Sequence, residues 1–353
     1  MVKTFYLSSL TERAGKSFLS IGFIQKLKKE GKKYAYFKPI GIPKSAFTQK
    51  ADPDVGFILN TVYQTEYPYD FISPVSIPDA YYIDLVDADK KEEFLQKIKA
   101  VYDKITKGVD YLIIEGNPSL RKFIRVGLDD VSIAKALGIE DLIYVSIESS
   151  DRCIDNLFFT KNYFEFRNIS IKGILFNKID YEYIARIKEL AEEHIHRYNI
   201  PVLGIIEKSI DLFSPRVSEI IEQIGGELIN EKASSGLDNV VKNYLIGAMN
   251  SHAAVKYLRQ VKNAAFITGG DRTDLAMAAL GQNVSVLILT GFIHPDMSVI
   301  TAANEKNIPI LLSPSDTYTT MRNLERIKPG IQESEIEKVL QIVEENLNWD
   351  LLL

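Results

Sequence analysis

The sequence predicts a two-domain α/β protein, with a doubly wound, mainly parallel sheet first and a smaller α/β domain after it. Short apolar segments without strict alternation recur through the first two hundred residues, as is typical of strands covered on both faces. Amphipathic stretches of helical length separate them, which indicates a parallel sheet with crossover helices. The length of 353 residues also favours two domains over one.

The first domain is predicted to contain six strands. Their segments read KTFYLSS, KKYAYFKPI, DYLIIEG, DLIYVSIES, KGILFNKI and PVLGIIE. The helix after the first segment repeats apolar residues at helical spacing from Phe18 to Leu27, carries lysines in its last turns and ends at Gly31. Residues 41–109 are rich in Pro, Asp and Tyr and interrupt the alternation. We expect them to lie over the mouth of the sheet, where functional loops are often found.

A change of composition near residues 230–239, NEKASSGLDN, indicates a hinge. A second strand–helix series follows it with NAAFITGG, VSVLILTG and IPILLSP. The last helix begins with a capping-box pattern from Ser334 to Glu337. We therefore predict a first domain over 1–210, a connecting helix and linker over 211–236, a second domain over 237–330 and a C-terminal helix over 331–353.

Composition and charge argue against several classes of protein. The net charge of -5, with no concentration of basic residues, argues against a binder of nucleic acid or of a membrane surface. No apolar run approaches the roughly 20 residues that cross a bilayer, and the N-terminus has no secretory pattern. The single cysteine, Cys153, excludes an intramolecular disulfide, and the scattered histidines form no ligand set with it. We expect a cytoplasmic homodimer.

The segment SSLTERAGKS, residues 8–17, has the ending of a phosphate-binding loop, although Leu10 stands where the usual spacing has its first glycine. A predicted buried strand precedes it and an amphipathic helix follows Ser17, as phosphate binding at a helix N-terminus requires. Lys16 would then contact the outer phosphates, and the Ser17 hydroxyl would coordinate Mg²⁺. The alternative is a surface turn that happens to read Gly-Lys-Ser.

Charged residues are predicted at the same edge of the sheet. Lys38 ends the second strand segment, and a lysine there points into the crevice where α/β proteins bind ligands. Four apolar residues precede Glu115, whose carboxylate can hold Mg²⁺ or its waters. Asp52 and Asp54 lie in the overlying loop. Each of these signals is weak when it is taken alone.

Taken together, the order GKS, KP, paired aspartates and EG resembles the dethiobiotin synthetase-like P-loop proteins, above all the N-terminal domain of long phosphate acetyltransferases. In that family the first loop glycine is displaced or absent, and a Thr-Glu or Thr-Asp pair stands inside the loop, as Thr11 and Glu12 do here. The resemblance covers the first 210 residues. The nucleotide-binding residues that it implies are Thr11, Glu12, Arg13, Ala14, Gly15, Lys16, Ser17 and Asn177.

The resemblance also implies roles for the charged residues. Lys16 and Lys38 would neutralise charge on a transferred phosphoryl group. Ser17, Asp54 and Glu115 would hold Mg²⁺.

The segment FNKID bears on which nucleotide base the protein binds. Asn177-Lys178-x-Asp180 is the pattern by which GTPases select guanine, with the aspartate accepting hydrogen bonds from the base. Dethiobiotin synthetase-like proteins commonly have an asparagine there at the base edge without the rest of the pattern. We expect ATP rather than GTP, with Asn177 as the base residue, and leave guanine as the alternative.

The second half resembles the DRTGG domain over about 90 residues, in KNYLIGAMNSHAAVKYLRQ, AAFITGGDRTDLAMAAL and IPILLSPSDTYTTMRNLERI. Its expected ligand edge is TGGDRTD, where Gly269 and Gly270 permit close backbone approach. Asp271 and Arg272 offer charges near a helix N-terminus. The ligand would be a small anionic metabolite contacting Gly270, Asp271 and Arg272. Equally, Asp271 and Arg272 could only cap and tether the helix.

Two functions stay open. We favour a regulatory sensor of a Mg-nucleotide in acyl-phosphate or related central metabolism. The alternative is an enzyme that activates a small carboxylate or carbamate with ATP, as dethiobiotin synthetase does, although Asn117 and Pro118 replace its glycine-rich turn. No catalytic domain follows within the 353 residues, so we expect no phosphate acetyltransferase activity.

Overall fold

The computed structural model describes residues 2–43, 51–65, 67–209, 212, 214–327 and 330–353. The chain divides into two compact units, and each is described by itself. The first comprises Met1–Lys208 and Gln332–Leu353, and the second comprises Ser209–Ile331. Segment 211–236, expected as a connecting helix and linker, contributes a helix and a strand to the second unit.

The strands are β1 (Lys3–Ser8), β2 (Tyr34–Phe37), β3 (Ile40–Gly41), β4 (Val75–Ser76), β5 (Tyr111–Glu115), β6 (Asp141–Ser146), β7 (Ser170–Ile179), β8 (Val202–Glu207), β9 (Glu227–Leu228), β10 (Asn243–Ile246), β11 (Ala264–Gly269), β12 (Val284–Thr290) and β13 (Ile310–Leu312).

The α-helices are α1 (Lys16–Lys29), α2 (Pro53–Phe57), α3 (Tyr69–Ile72), α4 (Tyr82–Leu85), α5 (Ala88–Ile105), α6 (Asp130–Ala136), α7 (Arg152–Phe166), α8 (Ile184–Leu190), α9 (Val217–Ile224), α10 (Ser251–Leu258), α11 (Thr273–Leu280), α12 (Met297–Glu305), α13 (Thr317–Leu324), α14 (Ile336–Asn346) and α15 (Trp349–Leu352). Shorter 3₁₀ or π-helical segments lie at Ile58–Tyr63, Ile124–Val126, Tyr181–Tyr183, Ala191–Ile195, His196–Tyr198, Glu231–Asp238 and Glu333–Glu335.

The first unit is built on a six-stranded sheet in the order β2-β5-β1-β6-β7-β8, in which every neighbouring pair is parallel. This arrangement confirms the predicted doubly wound sheet. Leu7 on the central strand β1 pairs with Glu115 on one side and with Ile143 on the other. The register therefore brings the carboxyl ends of β1 and β5 side by side, where α/β proteins bind ligands.

The C-terminal residues complete the first unit because α14 packs on α1. A Cβ atom at Gly22 would lie 2.6 Å from Val343, so glycine is needed for the two helices to approach so closely. Phe23 contacts Trp349 edge to face, with ring centroids 5.5 Å apart. The capping box is formed by Gln332 and Glu335, two residues earlier than the sequence predicted, because a 3₁₀ turn precedes α14.

The second unit contains a five-stranded sheet in the order β10-β11-β12-β13-β9. Strands β10 to β13 run parallel, and β9 pairs antiparallel with β13. One face packs against α10, α11 and α12, and the other packs against α9 and α13. This mixed sheet confirms the predicted second α/β domain.

A search for membrane-spanning helices over these described ranges finds none with the length and apolar character required.

Candidate functional site

The Gly-Lys-Ser segment joins β1 to α1 at the carboxyl edge of the first sheet. Gly15 precedes the helix with a φ of 84°, a left-handed conformation that favours glycine, and its carbonyl accepts the first helical hydrogen bond from Leu19. Helix α1 begins at Lys16. The unpaired N–H groups of its first turn, with the positive end of its dipole, therefore lie beside the loop and favour an anion.

Lys16 is buried under the loop. Its ammonium donates to the Ser9 hydroxyl at 2.6 Å and to the Pro118 carbonyl at 3.0 Å. Burial lowers the pKa of Lys16 to about 8, although Asp130 and Glu115 act in the opposite direction. The lysine is thus held by neutral acceptors in a partly desolvated position, where the charge of a phosphate would interact with it strongly.

Ser17 lies between two carboxylates. Its hydroxyl oxygen is 3.2 Å from Oδ2 of Asp54 and 3.0 Å from Oε1 of Glu115. Burial raises the pKa of Asp54, and this effect is partly offset by Lys38. One hydroxyl and two carboxylates are hard oxygen donors of the kind Mg²⁺ takes when substrate phosphates complete its shell. The donor set therefore fits Mg²⁺ bound together with phosphates.

A metal cage made by protein side chains alone is absent from the described part of the chain. No group of three or more His, Cys, Asp or Glu residues there could hold an ion by itself.

Lys38 reaches the same place from the end of β2. Its ammonium lies 2.8 Å from Oδ2 of Asp52 and 3.0 Å from Oε1 of Glu115, and all three side chains are buried. Burial by itself lowers the pKa of Lys38, but the attraction of Glu115, Asp52 and Asp54 outweighs it and raises the pKa above its ordinary value. Tyr36 donates to the other oxygen of Glu115 at 3.0 Å.

Asp52 also has a structural function. One of its carboxylate oxygens accepts from the main-chain N–H of Asp54 at 2.9 Å, so it caps the short helix α2. The other accepts from the main-chain N–H of Ile42 at 2.9 Å. Burial raises the pKa of Asp52, but the Lys38 ammonium and the main-chain N–H groups of Ile42 and Val55 together outweigh it, and the net pKa lies below its ordinary value. Asp52 thereby positions both Lys38 and Asp54.

Asp130, which the sequence did not single out, is fully buried behind the loop. It accepts from the Ser8 hydroxyl at 2.6 Å and from the main-chain N–H of Asn117 at 2.7 Å. These groups are each one residue away from Ser9 and Pro118, the two acceptors of Lys16. A Cβ atom on Gly116 would lie 2.6 Å from the Asp130 carboxylate, which explains the glycine after Glu115.

Asn177 lies near the carboxyl end of β7, and its side chain contacts the phosphate-binding loop. Its amide nitrogen donates to the Ala14 carbonyl at 2.8 Å, and its amide oxygen accepts from the N–H of Lys178 at 3.0 Å. The Lys178 ammonium donates to the Arg13 carbonyl at 3.0 Å. Burial, followed by repulsion from Arg13 and Lys208, lowers the pKa of Lys178 to about 8.

The remaining loop residues lie at the surface. Thr11, Glu12 and Arg13 are exposed, and Ala14 is buried. The main-chain oxygen of Thr11 accepts from the Ser9 hydroxyl at 2.9 Å. Arg13 has a φ of 59°, which turns the chain in front of Ala14. A nucleotide contact by the side chains of Thr11 and Glu12 stays a prediction.

In the second unit, TGGDRTD joins β11 to α11. A Cβ atom on Gly270 would lie 1.8 Å from the Ile293 carbonyl oxygen, so the glycine permits close contact between two loops. The Asp271 carboxylate lies close to Gly269, where a Cβ atom would be 2.5 Å from it. The Arg272 guanidinium donates to the Met249 carbonyl at 3.2 Å. Arg272 also pairs with Asp274 at 3.2 Å. These contacts favour the tethering role that the sequence left open, while ligand binding stays a prediction.

Comparison with known proteins gives two family matches and a set of longer relatives. A family model described as an AAA domain (AAA_26) matches residues 3–216, and one described as a DRTGG domain matches residues 219–327. A phosphate acetyltransferase from Synechocystis sp. is 26% identical over 359 residues, which cover 96% of this chain and 49% of the relative. That from Escherichia coli is 22% identical, covering 95% and 50% respectively. The chain thus spans about half the length of these relatives.

Solved structures give more distant likenesses. The septum site-determining protein MinD of Pyrococcus horikoshii, complexed with Mg-ADP, aligns at a TM-score of 0.36 and 14% identity over 59% of this chain and 83% of that one. The CBS and DRTGG domains of Clostridium perfringens pyrophosphatase align at a TM-score of 0.30 and 16% identity over 44% and 71%.

Proposed function

This chain belongs to the AAA domain family matched over residues 3–216, and from that premise we propose that its first unit binds a nucleoside triphosphate with Mg²⁺. One observation carries the proposal. The Ser17 hydroxyl lies within 3.2 Å of the carboxylates of Asp54 and Glu115, directly after Lys16 and at the N-terminus of α1. Phosphate-binding loops require this combination of helix end, lysine and hydroxyl.

Ser17, Asp54 and Glu115 would hold the Mg²⁺ ion. Bound there, it supplies positive charge that offsets the charge of the phosphates and of the two carboxylates. Without a cation, the carboxylates would repel a phosphate group at this edge. We therefore expect nucleotide and metal to bind together.

The two lysines have different tasks in this proposal. Lys16 would exchange the neutral acceptors Ser9 and Pro118 for phosphate oxygens, which are stronger partners for an ammonium group. Lys38 would offset part of the negative charge of Asp52 and Glu115 beside the phosphates. The family resemblance gives ATP as the first expectation for the nucleotide.

We propose a regulatory sensor as the role of the whole protein. Its relatives by sequence are phosphate acetyltransferases, of which this chain spans about half, so acyl-phosphate or related central metabolism is the proposed context. The second unit would bind a small anionic metabolite. A homodimer stays a prediction.

An enzyme is the second candidate, and the loop after β5 favours it. In this loop the Pro118 carbonyl accepts a hydrogen bond from the Lys16 ammonium. The main-chain N–H of Leu120 donates to the Ser9 carbonyl at 2.7 Å. A small carboxylate bound on this loop would lie next to the phosphates. Lys16 and Lys38 would then stabilise charge during phosphoryl transfer.

Calorimetric titration of the purified chain with ATP and GTP, in Mg²⁺ and in EDTA, tests nucleotide binding. We expect binding in Mg²⁺ that weakens in EDTA, and no binding under either condition would reject the proposal. Release of phosphate with and without small carboxylates then separates the two roles. Slow turnover that carboxylates leave unchanged supports the sensor, and carboxylate-dependent turnover supports the enzyme.

A further inference from the structure

We infer that the base site prefers guanine and that Asp180 is the residue that selects it, an inference that rests on the proposed nucleotide function. Sequence similarity favours ATP on the expectation that Asn177 meets the edge of the base. In the structure Asn177 is fully buried, and both ends of its amide have main-chain partners within the protein. Because the Asn177 side chain is buried and holds the loop, the exposed Asp180 is the better-placed residue of the pattern for contact with a base.

Asn177 and Lys178 together support the phosphate loop from the end of β7. Asn177 holds the Ala14 carbonyl and Lys178 holds the Arg13 carbonyl, at 2.8 and 3.0 Å. A Cβ atom on Gly15 would meet both side chains, at 2.2 Å for Asn177 and 3.4 Å for Lys178. The first two residues of the Asn-Lys-x-Asp pattern thus connect the end of β7 to the loop, and a nucleotide on that loop would extend its base toward this strand end.

Asp180 follows two residues after Lys178, at the end of the same strand. Its main-chain N–H donates to the Ser149 hydroxyl at 3.2 Å, which anchors the backbone at this position. Its side chain is half exposed and lies 3.4 Å from the Lys208 ammonium, so an entering group can reach the carboxylate. Ile179, which stands between Lys178 and Asp180 in the pattern, is buried in the sheet and cannot contact a base.

A carboxylate discriminates between the two purines by hydrogen-bond chemistry. It accepts hydrogen bonds only, and guanine presents two adjacent donors, the ring N1–H and the 2-amino group. Adenine has a lone pair at N1 and no amino group at C2, so it would leave the carboxylate without partners and facing an acceptor. We expect this mismatch to lower the affinity for adenine nucleotides roughly tenfold relative to guanine nucleotides.

The test uses the full-length chain with GTP, ATP and xanthosine triphosphate in Mg²⁺. Wild type should bind GTP at least about tenfold more tightly than ATP or the xanthine nucleotide. In Asp180→Asn, GTP affinity should fall about tenfold and xanthine affinity should rise, because an amide accepts from N1–H and donates to the 2-oxo group of xanthine. Asp103→Asn, an exposed change of the same type on α5, should leave all three affinities unchanged.

The gain for xanthine separates base reading from a structural role, because a destabilised site would lose affinity for every nucleotide. Equal or tighter binding of ATP by wild type would overturn the inference while leaving the nucleotide proposal intact. Unchanged ratios in Asp180→Asn would overturn it as well. Failure of every nucleotide to bind would reject the proposed function together with this inference.

Discussion

Asn177 and Gly15 are packed so closely that a Cβ atom on the glycine would lie 2.2 Å from the Asn177 side-chain nitrogen. That nitrogen also holds the Ala14 carbonyl. The end of β7 and the phosphate loop are therefore fitted together, and any side chain at position 15 would separate them. Because Gly15 also has a φ of 84°, substitution would strain the backbone.

Gly15→Ala should weaken Mg-nucleotide binding at least about tenfold and lower the midpoint of thermal unfolding. Gly31→Ala is the matched control, because Gly31 also has a positive φ, 65°, but nothing lies within 4 Å of its added Cβ. In that control the free energy of unfolding should fall by about 1–2 kcal/mol, the cost of the left-handed backbone for alanine. Its nucleotide affinity should stay at the wild-type value. Equal losses of affinity in both variants would contradict the importance of the Asn177 contact.

Lys16→Ala should lower Mg-nucleotide affinity at least tenfold, about 1.4 kcal/mol, because it removes a full charge from desolvated phosphates. Calorimetric titration measures the change. Lys28→Ala, on the exposed face of the same helix, should bind as wild type does. Equal affinities of wild type and Lys16→Ala would mean that Gly-Lys-Ser is only a turn.

Glu115→Gln and Asp54→Asn should each weaken nucleotide binding in Mg²⁺, because each removes a charged ligand of the ion. In EDTA the same changes should have little effect or improve binding, since a carboxylate that faces phosphates without a cation repels them. Glu93→Gln, an exposed change on α5, is the matched control. The metal assignment is wrong if both site variants match wild type in Mg²⁺.

Asp130 predicts a pH dependence of stability. Burial raises its pKa from 3.8 to about 7 in the folded protein, so the folded state holds this proton more tightly than the unfolded chain. The resulting stabilisation is complete below the unfolded pKa and is lost as the pH rises through about 7.

Asp130→Asn resembles the protonated acid and cannot lose a proton. The unfolding free energy of wild type minus that of the variant should therefore fall between about pH 4 and about pH 7, and level off above it. Urea unfolding over this range measures the difference. A difference that rises with pH would contradict the raised pKa of Asp130.

Substitution of Arg272 tests whether the second unit senses a metabolite. If a metabolite binds at TGGDRTD, its presence should change nucleotide affinity, and nucleotide should change metabolite affinity by the same factor. A thermal-shift screen of acyl phosphates, organic acids and nucleotides supplies the probe. Arg272→Ala should abolish this coupling while nucleotide affinity stays near wild type, and Arg259→Ala should preserve it.

The opposite result has a clear structural meaning. Arg272 donates to the Met249 carbonyl and pairs with Asp274. If Arg272→Ala lowers only the thermal stability of the protein, and no compound in the screen binds, Arg272 is a tether.

The sequence by itself determined the sheet of the first unit and the edge at which the candidate site lies. Apolar segments alternating with amphipathic helices predicted the parallel strands, and polar residues directly after those strands had to meet at their carboxyl ends. Lys16, Lys38 and Glu115 could be assigned to this edge because strand direction alone places them there. The two-unit organisation followed from the second strand–helix series.

Only the tertiary structure decided which groups are partners. Lys38 pairs with Asp52 as well as Glu115, Asn177 holds Ala14, and Asp130 supports the residues around Lys16. These contacts join positions far apart in the chain, so no periodicity or spacing encodes them. They depend on how loops of different length fold over one sheet edge, where burial makes each polar group take whichever partner lies within reach.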